Sequence, residues 1–163
     1  MANISSNSPD TTTTIWSWLF PVTYLIHIAE ECWGGGGYSA YLLRLRGVHL
    51  SPTRFLLVQS IGVILVVVGI MLARRFNFPH MMLVILGAVV LVNGLTHALT
   101  SIRYLTYGPG LITSILIWMP LGLATLVRFK GSVSKQRYWL AVAIGTAING
   151  VVAVVTLRGG RIV

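Results

Sequence analysis

Residues 80–100, HMMLVILGAVVLVNGLTHALT, decide the fold class because they form a mainly apolar run without Asp, Glu, Lys or Arg. About 20 such residues make a helix long enough to cross the hydrocarbon core of a bilayer. The whole chain of 163 residues is 55% hydrophobic and only 9% charged, which lies outside the range of soluble domains. These features predict an integral multi-pass membrane protein, and we expect it in the cell membrane.

Four further apolar runs have a similar length and alternate with short connections. The five predicted spans lie near residues 15–33, 55–73, 80–100, 111–128 and 138–157. Residues 38–46, which follow a run of four glycines, predict a short interfacial helix after the first span. We expect an all-α polytopic membrane helix bundle of about five transmembrane helices, with a disordered polar N-terminus at 1–13, a single transmembrane helical domain at 14–158 and a short C-terminal tail at 159–163.

The charged residues are strongly biased, because 12 Lys and Arg are accompanied by only three acids, Asp10, Glu30 and Glu31. The basic residues lie mostly between the apolar runs, as expected for loops that contact anionic lipid headgroups. No soluble stretch is long enough to build the basic face that a nucleic-acid-binding domain needs. We expect the lipid bilayer as a partner and no nucleic acid.

Two of the three acids and a histidine lie inside the first apolar run, in His27-Ile28-Ala29-Glu30-Glu31. A charge at this depth costs about 3 kcal/mol or more unless it is paired, protonated or bound to a metal, so it usually marks function. At about 100° per residue, the three side chains project from one helix face. An imidazole and a carboxylate at positions i and i+4 can bind one metal ion, and the carboxylate between them can take a proton from its water.

The third span supplies a further metal ligand. It carries Asn93 and His97 one helical turn apart, whereas the two histidines outside these pairs lie at predicted loop or interface positions. Spans one and three are expected to run parallel, and His27 lies twelve residues after Ile15 as Asn93 lies twelve after Met81, roughly 18 Å along each helix. The sequence therefore predicts that His27, Glu31 and His97 bind one divalent metal.

The spacing also suggests roles for the neighbouring polar residues. The zinc peptidase motif H-x-x-E-H has the same spacing, with a general base before the second ligand. By this analogy Glu30 is the general base, and Asn93 orients a water or a substrate oxygen. Exchanging the roles of Glu30 and Glu31 fits the spacing almost as well. We expect zinc rather than iron as the metal.

Several functions are compatible with two histidines and one carboxylate, a ligand set found in zinc hydrolases and non-haem iron oxygenases. We expect a membrane-embedded, hydrolase-type enzyme that uses a metal-activated water on a lipidic or other hydrophobic small molecule. A non-haem iron oxidase or desaturase with the same ligands is one alternative. Another is a non-enzymatic proton-coupled transporter, or an accessory or structural membrane protein. Five spans leave little room for a transport path through one chain, and a homo-oligomer would provide that path.

With these residues, the chain resembles the HXXEE family of small integral membrane proteins, whose name describes residues 27–31. The likeness extends to Phe20-Pro21, Asn93-Gly94-Leu95-Thr96-His97, Tyr107-Gly108-Pro109-Gly110 with Thr113, and Pro120. The resemblance implies a multi-helix membrane protein in which the motif belongs to an enzyme. It leaves the reaction open.

Overall fold

The computed structural model describes residues 11–159, and within this range the chain is helical and contains no strand. The helices are α1 (Thr11–Trp33), α2 (Tyr38–Arg46), α3 (Pro52–Arg75), α4 (Pro79–Tyr104), α5 (Leu111–Phe129) and α6 (Lys135–Gly159). The predicted all-α fold and the short helix after the first span are confirmed. Residues 1–10 and 160–163, which hold most of the predicted polar N-terminus and tail, lie outside the described residues.

Four helices of the described chain, α3, α4, α5 and α6, are long and apolar enough to cross a membrane by length and composition. Helix α1 also has the necessary length, 23 residues, and its side chains are distributed as expected in lipid. It buries Ser17, His27 and Glu31, whereas Val22 and Leu25 are more than half exposed. Several apolar side chains therefore face outwards, while these polar residues face the bundle together with Phe20. The prediction of about five spans agrees with this architecture.

Helix α4 lies at the centre of the bundle, where it packs most extensively against α5 and α6 and also contacts α1 and α3. Its contact with α5 depends on a small residue, because a Cβ added to Gly122 would lie only 2.7 Å from the carbonyl oxygen of Gly87. Such close backbone approach is how helices gain packing energy in a membrane, where lipid is as apolar as the side chains. The α4–α5 pair forms a fixed frame for the residues between them.

Helix α5 is not a regular α-helix along its whole length. Its residues Ser114–Trp118 form a π-helical turn that ends two residues before Pro120. A proline has no N–H for the hydrogen bond to the preceding turn, and its ring clashes with the carbonyl four residues earlier, so the helix widens there. In this turn Trp118 packs against α1, where its ring stacks on His27 with centroids 3.7 Å apart.

Candidate metal centre

Three potential metal ligands meet between α1 and α4. His27 and Glu31 lie one turn apart on α1, and His97 approaches them from α4. Glu31 Oε1 lies 3.7 Å from His27 Nε2 and 3.4 Å from His97 Nε2, and the ligand atoms of the three residues all lie within 4.8 Å of one another. His27 and Glu31 are buried at 1% and 4% exposure. The structure therefore brings together the three residues that the sequence predicts as ligands.

His27 is positioned by α5 through its Nδ1 atom. Its Nδ1 lies 2.7 Å from Thr113 Oγ1, and the same hydroxyl donates its only hydrogen to the carbonyl oxygen of Gly110, 3.3 Å away. When the hydroxyl donates to Gly110 it accepts a hydrogen from Nδ1, and in that tautomer Nε2 has a free lone pair. Nε2 is buried and has no hydrogen-bond partner among the described residues. It faces the other two ligands.

Glu31 is oriented from the opposite side, by helix α3. Gln59 donates a hydrogen bond of 2.7 Å from its amide nitrogen to Glu31 Oε2, and Tyr24 donates one of 2.8 Å to the amide oxygen of Gln59. Because Oε2 is occupied in this way, Oε1 is the oxygen directed at the two histidines. Fixing a ligand through its second polar atom is typical of metal sites.

Glu30 lies in a different environment and caps the N-terminus of α5. Its carboxylate accepts hydrogen bonds from the backbone N–H groups of Ile112 and Thr113, at 2.8 and 2.7 Å, and from the Tyr107 hydroxyl at 2.7 Å. The cap residue of α5 is Gly110, which has no side chain for this purpose, so a carboxylate from α1 satisfies the exposed donors and the positive end of the helix dipole. Burial and the hydrogen bond to Glu30 raise the pKa of Tyr107 to about 12, so its hydroxyl stays a donor at neutral pH.

This placement does not favour the general-base role that the spacing suggested for Glu30, which stays a prediction. Both carboxylate oxygens are engaged in hydrogen bonds to α5 and to the preceding loop, and they are not directed at the two histidines. A general base must be within hydrogen-bond reach of the proton it removes. Of the two glutamates that the spacing left interchangeable, Glu31 is the one that lies with the histidines.

Gly110 lies directly against the three candidate ligands and has no room for a side chain. An added Cβ would lie 2.8 Å from His27 Cε1, 2.9 Å from His97 Cε1 and 3.1 Å from Glu31 Cγ. Its φ of 87° also lies in the left-handed region that favours glycine. The backbone of the α4–α5 connection therefore packs directly on the three ligands.

Asn93 lies one turn before His97 and lines the cavities next to Glu31. Its Oδ1 is buried and has no hydrogen-bond partner among residues 11–159. A buried acceptor without a donor is costly, and it is usually satisfied by a bound water or ligand. The expected orienting role of Asn93 stays a prediction that this position favours.

Two of the three separations among the candidate ligands fit a mononuclear site, and all three ligand atoms lie within 4.8 Å of one another. Two ligands at 2.0–2.1 Å from a tetrahedral zinc ion lie about 3.3 Å apart, close to the two His–Glu separations of 3.4 and 3.7 Å. Three protein ligands leave a fourth position for water or substrate, as in catalytic zinc sites. The donor set of two imidazoles and one carboxylate also suits iron.

The sequence pattern alone does not predict the roles of several residues around the site. Gln59 is a single polar residue in the second apolar run, and the structure shows that it supports Glu31. Thr113 and Gly110 contribute to the family resemblance, but the sequence pattern does not assign them to the site. A Gly-Pro-Gly turn directly before a span does indicate a helix N-terminus whose backbone N–H groups need acceptors. The stacking of Trp118 on His27 has no signal in the sequence.

The fold and the site together define a multi-pass helical membrane protein with a buried histidine–glutamate cluster between its first and central long helices. In comparison with known families, residues 18–125 match the family described as proteins of unknown function with HXXEE motif. The chain belongs to this family, and the matched region contains every ligand and supporting residue described above. No curated protein and no solved structure matches the chain.

Proposed function

We propose that the protein is a membrane-embedded, metal-dependent enzyme of the hydrolase type, in which His27, Glu31 and His97 hold one divalent metal, zinc rather than iron. One observation carries the proposal. The Nε2 atom of His27 is buried without a hydrogen-bond partner in the described chain, and it faces the carboxylate of Glu31 beside a second imidazole. A metal ion would satisfy all three ligand atoms at once.

A purely structural network does not account for this arrangement as well. Polar side chains that fix helix packing in a membrane do so by hydrogen bonding across the helices. Here Thr113 and Gln59 hydrogen-bond to the outer atoms of His27 and Glu31, while the inner oxygen of Glu31 lies 3.7 Å from His27 Nε2 and 3.4 Å from His97 Nε2, farther than the other polar contacts of these two side chains. Supporting groups that aim ligand atoms at a common point are the arrangement of a metal site.

The chemistry proposed for the site follows from its ligands. A zinc ion with three such ligands lowers the pKa of a bound water to about 7, which gives a nucleophile at neutral pH. A separate general base is then unnecessary, and Glu30 is free to serve the fold. Asn93 orients the substrate or the water through its unpartnered carbonyl oxygen.

The substrate in this proposal is a lipidic or other hydrophobic small molecule, because the cavity next to the ligands lies among helices that span the membrane. The cavity of about 450 Å³ is lined by residues of α2, α3, α4 and α6 together with Glu31. This volume is in the range of small-molecule sites. We place the protein in the cell membrane as part of the proposal, which fractionation of cell membranes checks.

The test is metal removal and replacement in purified protein reconstituted in phospholipid nanodiscs. Protein stripped by a chelator is supplied with zinc or with ferrous iron, and hydrolysis of a panel of lipid esters and amides is measured. We expect activity to return with zinc. In His97→Ala it should not return, whereas the control His49→Ala, which alters an exposed histidine outside the site, should behave as wild type.

Two results would replace the proposal. Oxidised products that appear only with iron and dioxygen would assign the same ligands to an oxidase or desaturase. Well-folded protein that retains neither metal would favour a proton-coupled transporter or an accessory or structural role for the cluster.

A further inference from the structure

Two cavities meet at the candidate metal centre. The larger, of about 450 Å³, extends towards α2, and we call it the interfacial chamber. The smaller, of about 280 Å³, extends along α1 and α4 into the bundle, and we call it the inner chamber. Both are lined by Glu31, Gln59, Asn93 and Asn149. The ligand Glu31 therefore lies at the junction of the two chambers.

The two chambers differ in chemical character. Beyond the shared residues, the interfacial chamber combines apolar side chains of α3 and α6 with polar groups, which include the Arg54 guanidinium and the hydroxyls of Tyr38 and Thr96. The inner chamber continues among apolar side chains such as Leu65, Val66 and Val89. A ligand that fills both must be polar at one end and apolar at the other. The junction between the polar and apolar parts of such a ligand would lie beside Glu31.

The size of the inner chamber limits the apolar part of such a ligand. A volume of about 280 Å³ is slightly below the roughly 300 Å³ at the small end of ligand pockets. This space suits one hydrocarbon chain and is too small for two. Moving a chain from lipid into an apolar pocket yields no hydrophobic gain, because lipid is equally apolar. We therefore expect a limit on chain length rather than a steady rise in affinity with length.

The chambers are accessible from the bilayer between α3 and α6. Both helices line both chambers, yet among the described residues they form no extensive contact with each other. Most of the side chains of α3 are exposed to the membrane. A membrane lipid can therefore enter sideways without passing through water.

We infer that the substrate is a single-chain acyl ester or amide, with its hydrocarbon chain in the inner chamber and its polar head in the interfacial chamber. This inference rests on the proposed function and specifies its substrate class. The scissile bond joins the acyl carbon to the oxygen or nitrogen of the head. Water adds its oxygen to that carbon, the carbon–heteroatom bond breaks, and a proton from the water passes to the departing heteroatom. The products are a fatty acid and a free alcohol or amine.

The test uses a non-hydrolysable single-chain amphiphile, an alkyl ether with a diazirine at the end of its chain, added to the protein in nanodiscs of two-chain phospholipid. After illumination, labelled residues are identified by mass spectrometry. We expect labels on inner-chamber residues such as Val66 and Val89. An excess of unlabelled single-chain amphiphile should remove them, and an excess of two-chain phospholipid should not.

A matched pair of variants tests whether the hydrocarbon chain of the amphiphile lies in the inner chamber. Val66→Phe narrows the inner chamber and should reduce labelling by about fivefold or more, the smaller end of what overpacking costs. Val68→Phe makes the same change two residues away on the same helix, at an exposed position outside both chambers, and should label as wild type. Thermal unfolding of both variants checks that they fold. If one variant does not fold, the residues labelled in wild-type protein decide whether the hydrocarbon chain occupies the inner chamber.

Metal content measured on the same samples separates the two claims. Inner-chamber labels together with about one equivalent of metal support both. Metal without inner-chamber labels, or with labels only on outward faces such as Val68, overturns the substrate class and leaves the metal enzyme standing. Inner-chamber labels on protein that never retains metal overturn the proposed enzyme and, with it, the substrate role of the amphiphile.

Discussion

The neighbouring residues Glu30 and Glu31 belong to two regions of the molecule with different chemistry. A rotation of about 100° along α1 directs Glu30 at the N-terminus of α5, where backbone N–H groups and a tyrosine hydroxyl occupy its oxygens. It directs Glu31 at α3 and α4, where one oxygen binds Gln59 and the other faces two imidazoles. The comparison shows how the surroundings of a carboxylate limit its role. The oxygens of Glu30 are occupied by hydrogen-bond donors of α5, whereas Glu31 has one oxygen beside two imidazoles and is the carboxylate placed to bind a metal.

The largest effect on the metal should come from Glu31→Gln. The amide has the same shape but replaces the charged ligand, so we expect metal content to fall from about one equivalent to background. Activity should fall by more than about 100-fold, beyond the 10–100-fold typical of supporting residues. Elemental analysis and the hydrolysis assay measure these changes. Full metal content in this variant would contradict the assignment of Glu31.

Gly110→Ala should damage both regions, because this residue covers the candidate ligands and is the N-cap residue directly before α5. The left-handed backbone and the Cβ contacts of 2.8 and 2.9 Å with the two histidines should together cost roughly 2–4 kcal/mol of unfolding free energy. Metal affinity should fall as well. Gly131→Ala is the control, since its Cβ would meet nothing within 4 Å. Equal stability and equal metal affinity in the two variants would show that Gly110 does not pack on the site as described.

Thr113 connects the two regions, because its backbone N–H binds Glu30 and its hydroxyl binds His27. Thr113→Val keeps the shape and the N–H but removes the hydroxyl, so the tautomer of His27 is no longer fixed. We expect a loss of metal affinity of about 10–100-fold, measured by competition with a chelator. Thr113→Ser restores the hydroxyl and should restore most of the affinity; failure to do so would argue that the hydrogen bond to Nδ1 is unimportant.

The smallest effect on the metal should come from Glu30→Gln, which is the counterpart of Glu31→Gln. Its amide keeps one acceptor oxygen but loses the charge at the N-terminus of α5, so we expect a cost of about 1–2 kcal/mol in stability. Metal content should remain near one equivalent. Thermal unfolding and elemental analysis test this together. Loss of metal without loss of stability would reverse the assignment of the two glutamates.

The sequence is sufficient to predict much of this architecture. Runs of about 20 apolar residues predict the long helices because a bilayer fixes their length, and matching depth along parallel spans predicts that His97 meets His27 and Glu31. The division of labour between the two glutamates is not predictable in this way, because helical periodicity places both on one broad face. It depends on where the N-terminus of α5 lies relative to α1. That position is set by the packing of α5 on α4 at Gly122 and by the turn ending in Gly110.

The central claim is that His27, Glu31 and His97 bind one metal, and X-ray absorption at the zinc edge of zinc-loaded protein in nanodiscs tests it most directly. We predict a first shell of nitrogen and oxygen at about 2.0–2.1 Å that includes two imidazoles. One imidazole should be lost in His97→Ala and none in His49→Ala. A spectrum without imidazole scattering, or one that is the same in both variants, would contradict the claim.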